Sequence, residues 1–215
     1  SAQLGVYYDA MKRPEALTYN IPTLATLPLS VDEGRLAAAL VAAVDAHPVL
    51  KAHVESAGSV QELVLDNDRV LDVPVVQEGE ASLKARAPQL ARPFDLHEGP
   101  LCRCEIVRTE HRVALFFDAH HLVFDGFSLS VFLRDVRAAY EGSPLETEVV
   151  QLDAARIELE TADGSAGEAS RAYFRDLFSE LGGEATRIAP KLGGRVEDGA
   201  LARVEAPFRG GDLDR

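Results

Sequence analysis

The chain has 215 residues, of which 47% are hydrophobic and 27% charged, and its formal net charge is −13 at pH 7. This composition is typical of a soluble globular protein with room for one large core or two small ones, and it excludes a disordered chain. The acidic balance disfavours nucleic acid and membrane surfaces as partners, because binding to either depends on Lys and Arg.

The sequence contains no recognisable targeting or anchoring segment. Its longest uninterrupted apolar run, residues 36–44, is too short to span a bilayer, and no signal peptide is recognisable at the N-terminus. The only two cysteines, Cys102 and Cys104, are too few for a disulfide framework, so we expect an intracellular, cytoplasmic protein. With His111 they lack the further ligands that zinc needs, which favours two buried thiols.

Strands and helices are both predicted in the first half of the chain. Residues 17–29, interrupted by prolines, are typical of an extended strand. A helix is predicted to begin at Ser30, because Ser30 and Glu33 have the spacing of a capping box, and to end at His47 before Pro48. The other elements predicted here are strands at 49–54, 60–65 and 70–76 and a helix at 81–91.

The second half is predicted to begin with a hairpin. Strands 101–108 and 112–119 are separated by very few residues, and nearly every position of 113–119 is apolar, which indicates a central strand covered on both faces. Apolar residues then recur at helical spacing from Leu129 to Tyr140, and Gly142 is the expected end of that helix. Helices at 150–161 and 168–181 and a strand at 200–208 complete an α/β or α+β fold.

Between the buried strand and the following helix lies the segment HHLVFDG, which carries the candidate site residues His120, His121, Asp125 and Gly126. Alternation along the strand puts the His121 ring on the face of Phe117. The His120 ring then lies on the opposite face, with Asp118. The two rings are therefore poorly placed to bind one metal ion together.

These residue types suit acyl transfer, in which an amine, hydroxyl or thiol attacks a thioester. An imidazole beside an apolar wall titrates close to neutrality and can accept the proton of the nucleophile. Asp125 could orient that imidazole or hold the loop through a basic partner, and Gly126 permits a turn that a Cβ would obstruct. The N-terminal amides of the helix can face a developing oxyanion, so no metal is needed.

Four further segments accompany HHLVFDG, namely residues 1–3 (SAQ), 19–22 (YNIP), 93–96 (PFDL) and 99–101 (GPL). HHLVFDG resembles the HHxxxDG signature of the chloramphenicol-acetyltransferase-like superfamily. The other segments are similar to those of the condensation domains of nonribosomal peptide synthetases within that superfamily, and residues 1–3 resemble the end of the first motif of those domains. The resemblance extends from residue 1 to about residue 142.

The resemblance implies a fold and an activity. The fold would be the N-terminal lobe of a two-lobed molecule at residues 1–182, an α+β two-layer sandwich with a mixed central sheet packed against helices. Residues 183–215 would be a glycine-rich tail or the start of the connection to a missing C-terminal lobe. The complete domain would join two thioesters in a peptide bond, and we expect the lobe alone to be inactive.

The resemblance also implies partners for that reaction. The thioesters would be held on the phosphopantetheine arms of donor and acceptor peptidyl carrier domains, next to an adenylation domain. We expect the lobe itself to bind no cofactor or metal directly.

Roles for the motif residues follow from the same resemblance. His121 corresponds to the active-site histidine, as general base or as a group that positions the amine. His120 and Asp125 correspond to mostly structural residues, and Gly126 to a position near the reacting centre. The family's second motif normally supplies an arginine as partner of the motif aspartate. Lys51 stands at that place, and the sequence leaves a Lys51–Asp125 pair open.

Two other functions remain open at this point. One is a free-standing acyltransferase that uses coenzyme A and shares the double histidine. The other is a catalytically silent docking module of the same fold. The YNIP, PFDL and GPL segments favour the peptide-synthetase branch, and silent modules usually lose the second histidine or the glycine, both of which this chain keeps.

Overall fold

A computed structural model describes residues 2–58, 60–148 and 150–179. The helices are α1 (Ala2–Lys12), α2 (Glu33–Ala46), α3 (Glu80–Arg86), α4 (Gly126–Tyr140), α5 (Val150–Asp163) and α6 (Ser165–Ser179). The strands are β1 (Thr23–Leu27), β2 (His53–Ala57), β3 (Val60–Val64), β4 (Val75–Gln77), β5 (Cys102–Arg108) and β6 (Val113–Ala119). Within the described part of the chain, no helix is long and apolar enough to cross a membrane. The strand expected at 200–208 and the tail from 183 lie outside the described residues.

Four strands form one mixed sheet in the order β1-β6-β5-β4. Strand β6 is antiparallel to both of its neighbours, so that Phe117 lies opposite Thr23 on one side and Cys104 on the other. Strand β4 is parallel to β5, and β2 pairs with β3 in a separate antiparallel hairpin. The mixed central sheet and the β5–β6 hairpin are therefore confirmed.

Both faces of the sheet are covered, which explains why β6 is buried at every position. Helices α2 and α4 pack on one face, where Leu40 and Phe132 join Phe117 in the main core. The rings of Phe117 and Phe132 stack with their centroids 4.3 Å apart. On the other face, Leu83 of α3 packs with Phe116 in a second, smaller cluster. The apolar run therefore reflects contact with helices on both sides.

The start of α2 differs from the prediction. The N-cap is Asp32, whose carboxylate accepts the N–H of Arg35 at 2.9 Å, and the helix begins at Glu33. The prediction of a capping box formed by Ser30 and Glu33 was wrong, because Asp32, which lies nearer to the helix, serves as the cap. Glu33 instead forms an ion pair with Arg108 at the end of β5.

Several bounds between residues 46 and 91 also differ. Where a strand was expected from residue 49, the chain makes a 3-10 turn (Pro48–Lys51), and β2 begins only at His53. In place of the strand expected at 70–76, only β4 (Val75–Gln77) is a strand, because only these residues pair with β5. Helix α3 gives way to a 3-10 turn at Ala87–Gln89, where Pro88 lacks an N–H. Helix α1 was not predicted.

The PFDL and GPL segments, which lead into β5, pack against the start of β2 in the β2–β3 hairpin. The N–H of Val54 donates to the carbonyl of Leu96 at 2.7 Å, which brings these two segments close together. Gly99 has a φ of +57°, and a Cβ there would lie 2.6 Å from the carbonyl oxygen of Ala52. Only glycine tolerates both conditions, which accounts for this residue in the segment.

Candidate active site

The HHLVFDG segment forms the turn from the central strand β6 to helix α4. Main-chain hydrogen bonds hold it from two sides, since the N–H of His120 donates to Leu101 O at 2.9 Å and the N–H of His121 donates to Tyr19 O at 2.7 Å. Asn20 also pairs with His120 as an isolated antiparallel bridge. The backbone of both histidines is therefore held by the segments around Leu101 and Tyr19, although strand β6 itself ends at residue 119.

His120 is buried between two aromatic side chains. The ring centroids of Tyr19 and Phe94 lie 6.0 and 5.9 Å from that of His120. Its Nδ1 accepts the N–H of Leu122 at 3.1 Å. Burial, together with the neighbouring charge of His121, lowers the pKa of His120 to about 4. The ring is therefore neutral at pH 7, with its proton on Nε2 while Nδ1 accepts.

His121, in contrast, exposes its side chain. The three residues that follow it turn inward, and Phe124 packs against Phe117 with ring centroids 5.4 Å apart. His121 is the first residue of the turn that follows β6, and its side chain faces solvent there while His120 is buried. An exposed imidazole can meet a substrate directly, whereas only 4% of His120 is exposed.

Asp125 caps helix α4. Its Oδ1 accepts both the N–H and the hydroxyl of Ser128, each at 2.7 Å, and these hydrogen bonds lower the pKa of Asp125 below its ordinary value. Lys51 is buried elsewhere and donates to Asp45 and to the carbonyl of Asn67. The Lys51–Asp125 pair that the sequence left open is therefore not formed, because each group is committed to a nearer partner.

Gly126 does not have the role that the sequence suggested. It starts α4 without a positive φ, and a Cβ built there would meet nothing within 4 Å. The prediction that a Cβ would obstruct the turn was wrong for this part of the molecule, since the space beside Gly126 is open. The Ser128 N–H is already bound to Asp125, which weakens the case for an oxyanion site at this helix end.

Removing the cap should destabilise the protein measurably. We expect Asp125→Ala to lower the free energy of unfolding by about 1 kcal/mol, because the Ser128 N–H loses its acceptor. Asp125→Asn keeps an acceptor oxygen at the same place and should lose less than half as much. Urea denaturation of the purified chain measures both, and equal losses in the two variants would contradict the capping role.

A buried carboxylate lies two residues before the first histidine. Asp118 is fully enclosed next to the last residue of β6, and burial raises its pKa to about 6, against the opposing effect of a hydrogen bond from Asn20. The sequence placed Asp118 on the His120 face without assigning it a function. Tyr19, Asn20 and Phe94, which surround it and His120, were noticed only as parts of the YNIP and PFDL segments.

Asp118 and His120 make opposite contributions to the pH dependence of stability. His120 binds its proton near pH 4 when folded and near 6.5 when unfolded, so acidification through this window favours unfolding. Asp118 binds its proton near pH 6 when folded and near 3.8 when unfolded, so the same acidification favours folding. We therefore expect Asp118→Asn to steepen the fall in unfolding free energy between pH 6.5 and 4, as measured by urea denaturation.

The matched control is Asp68→Asn, which neutralises an exposed aspartate. It should leave the slope of unfolding free energy against pH as it is in the unsubstituted chain. If Asp118→Asn gave that same slope, the opposing contribution assigned to Asp118 would be refuted.

The two cysteines have no catalytic features. Both Cys102 and Cys104 are free and buried, and burial raises the pKa of Cys102 to about 12 and that of Cys104 well above its ordinary value. A thiol with so high a pKa is a poor nucleophile and a poor metal ligand at neutral pH. His111 is exposed in the β5–β6 turn, and no group of three metal-ligating side chains is found among the described residues.

The family model of the condensation domain matches residues 1–198. This chain therefore belongs to the condensation-domain family. A linear gramicidin synthase of Brevibacillus parabrevis is 30% identical over 205 residues, which cover 87% of this chain and 3% of the relative. Surfactin synthase subunit 2 of Bacillus subtilis is 28% identical over 147 residues, which cover 67% of this chain and 4% of the relative. The chain thus spans a small part of these nonribosomal peptide synthetases.

Solved structures share the fold, which is the chloramphenicol-acetyltransferase-like fold. The starter condensation domain of rhizomide synthetase RzmA superposes with a TM-score of 0.71 at 18% identity, covering 81% of this chain and 46% of that one. A variant of that domain is known in complex with C8-CoA. The X-domain from teicoplanin biosynthesis has a TM-score of 0.62 at 21% identity, covering 76% and 38%, and is also known in complex with OxyB.

Proposed function

We propose that this chain is the N-terminal lobe of a domain that forms peptide bonds between two carrier-bound thioesters. The observation that carries the proposal is the exposed imidazole of His121, anchored at the end of a buried strand in a chain of the condensation-domain family. The match covers less than half of the length of the solved RzmA condensation domain. The activity is therefore proposed for the full-length protein, and we expect this lobe alone to be inactive.

The reaction needs one proton acceptor beside two correctly placed substrates. The α-amine of the acceptor attacks the thioester carbonyl of the donor, the new C–N bond forms, and the C–S bond breaks to release a thiol. His121 takes the proton from the amine, or holds the amine in position, and the proton finally resides on the thiolate that leaves. No metal is required in this scheme.

The other motif residues support His121 rather than react. The neutral ring of His120 packs between Tyr19 and Phe94 and fixes the end of β6. Asp125 sets the start of α4 through Ser128. Gly126 leaves open space beside the motif, which a substrate or the second lobe of the domain can occupy.

The partners follow from the chemistry of the substrates. Donor and acceptor peptidyl carrier domains would deliver the thioesters on phosphopantetheine arms, an adenylation domain would load them, and a C-terminal lobe would complete the cleft. This lobe would hold no cofactor of its own. Such a synthetase would operate in the cytoplasm, which suits two cysteines that are both free.

The coenzyme A-dependent acyltransferase is the second candidate, since a variant of the RzmA starter domain is known with C8-CoA. The two candidates differ in what carries the thioester. The silent docking module has a parallel in the teicoplanin X-domain, which is known in complex with OxyB. The intact double histidine argues against it here.

The test supplies the full-length protein with an aminoacyl thioester either on a carrier domain or on coenzyme A, together with a carrier-bound acceptor. We expect a carrier-bound dipeptide, detected by mass spectrometry, only from the carrier-bound donor. A parallel assay offers the coenzyme A thioester with an acceptor amine that is not bound to a carrier, and saturable turnover there would support the second candidate instead. Failure of both donors, with binding to a carrier or partner protein retained, would favour the silent module.

A further inference from the structure

Asp118 is a costly residue at its position. It is fully enclosed in the central strand, and its Oδ1 has no hydrogen-bond partner among the described residues. An apolar residue of similar size would avoid this cost, since a buried carboxylate with an unpaired oxygen is unfavourable. Some other contact of the same side chain must therefore be useful to the protein.

That contact is made by the second carboxylate oxygen. Asp118 Oδ2 accepts a hydrogen bond from Asn20 Nδ2 at 2.7 Å and lies 3.9 Å from Nε of Arg103, its partner across β5 and β6. Asn20 Nδ2 also donates to the carbonyl of Arg92 at 2.9 Å. The Arg103 guanidinium in turn lies over the ring of Phe94, 3.8 Å from its centroid. One carboxylate thus links three separate parts of the chain.

The segment that Asn20 holds is the one that fixes His121. Tyr19, directly before Asn20, provides the carbonyl that accepts the His121 N–H at 2.7 Å. On the other side of Asn20, the N–H of Ile21 donates to Ala119 O at 2.9 Å. A side-chain bond at residue 20 therefore reinforces the register that the main-chain bonds give residues 19–21 against the end of β6. If that register loosens, the main chain that carries the His121 imidazole is no longer held in place by Tyr19.

We infer that Asp118 and Asn20 are positioning residues for His121, acting through the Asp118–Asn20 hydrogen bond and the Tyr19 carbonyl. The inference rests on the proposed function, because it assigns a reaction to the group that is positioned. Neither side chain touches the substrate in this scheme. Their loss should slow the chemical step and leave the binding of carrier domains as it is.

The test measures kcat and KM of the full-length protein with carrier-bound substrates for Asn20→Ala, for Asp118→Leu, which removes the oxygen that accepts from Asn20, and for the double variant. We expect each single variant to lower kcat on the order of 10- to 100-fold, since small misplacements of a reacting group cost that much. The KM for the carrier-bound acceptor should stay within about twofold. The double variant should be no slower than the slower single one, because both changes break the same hydrogen bond.

The matched control breaks an ion pair at the opposite end of β6. Glu80→Gln removes the partner of Arg112, which lies next to the first residue of that strand, and should leave kcat unchanged. Asn20 is only half-buried, so Asn20→Ala decides the test even if Asp118→Leu does not fold. A wild-type kcat in folded Asn20→Ala, or a raised KM with unchanged kcat, overturns the inference.

His121→Ala separates this inference from the proposed function. If His121→Ala is inactive while the Asn20 and Asp118 variants keep their kcat, only the positioning role fails. If His121→Ala retains the wild-type kcat, the assignment of His121 fails, and with it the role of the residues that would position it.

Discussion

Replacing His121 with alanine in the full-length protein is expected to slow peptide-bond formation on the order of 10²- to 10⁴-fold. The side chain is exposed, and its backbone is held by Tyr19, so the substitution removes an imidazole without removing a core contact. Stability should therefore change by less than about 0.5 kcal/mol. Single-turnover formation of the carrier-bound dipeptide measures the rate, and urea denaturation measures the stability.

The chain offers a matched control in His111. This histidine is also exposed but lies in the β5–β6 turn, at the other end of β6, beside Glu110. We expect His111→Ala to keep the rate of the unsubstituted protein. A His121→Ala protein that reacts within about threefold of that rate would refute the assignment of His121.

Phe132→Ala should produce the largest loss of stability, about 3–5 kcal/mol. The Phe132 side chain is 1% exposed, stacks on Phe117 of the central strand and contacts the edge of Phe124 within the motif. Truncation leaves a cavity between α4 and the sheet that these rings cannot refill. Because small domains have unfolding free energies of about 5–15 kcal/mol, the loss is a large fraction of the total.

Phe127→Ala is the control on the same helix. Phe127 is 79% exposed, so the same substitution removes little buried surface and should change the free energy of unfolding by less than about 0.5 kcal/mol. Chemical denaturation of both variants under identical conditions gives the comparison. Similar losses at the two positions would mean that the stacked rings do not form the centre of this core.

Elements with a long hydrophobic pattern could be predicted from the sequence. The apolar run of β6 and the helical spacing in α4 each extend over several residues, so their type and approximate bounds were correct. Strand β4 is shorter than predicted because only Val75–Gln77 pair with β5. Pairing between segments that are far apart in the sequence leaves no local signal. Helix α1 was missed because it contains Gly5 and its apolar positions follow no clear helical period.

The site shows the same division between local and distant information. The histidine pair and its turn were recognised from spacing alone, but the partners of Asp125 and Lys51 were not. An acid directly before a helix is a local capping signal, and it could have predicted the Asp125–Ser128 contact. The Lys51–Asp45 contact and the enclosure of Asp118 depend on how distant segments pack, which one sequence does not specify.

The two main-chain hydrogen bonds at His120 and His121 have a consequence for the entropy of the proposed reaction. Fixing the backbone of one residue costs about 1–2 kcal/mol in conformational entropy. Because Leu101 and Tyr19 hold these residues in the folded lobe, that ordering is complete before any substrate arrives. In the proposed reaction an incoming amine would therefore meet an imidazole whose main chain is already immobilised, and the activation barrier would not include the cost of ordering it.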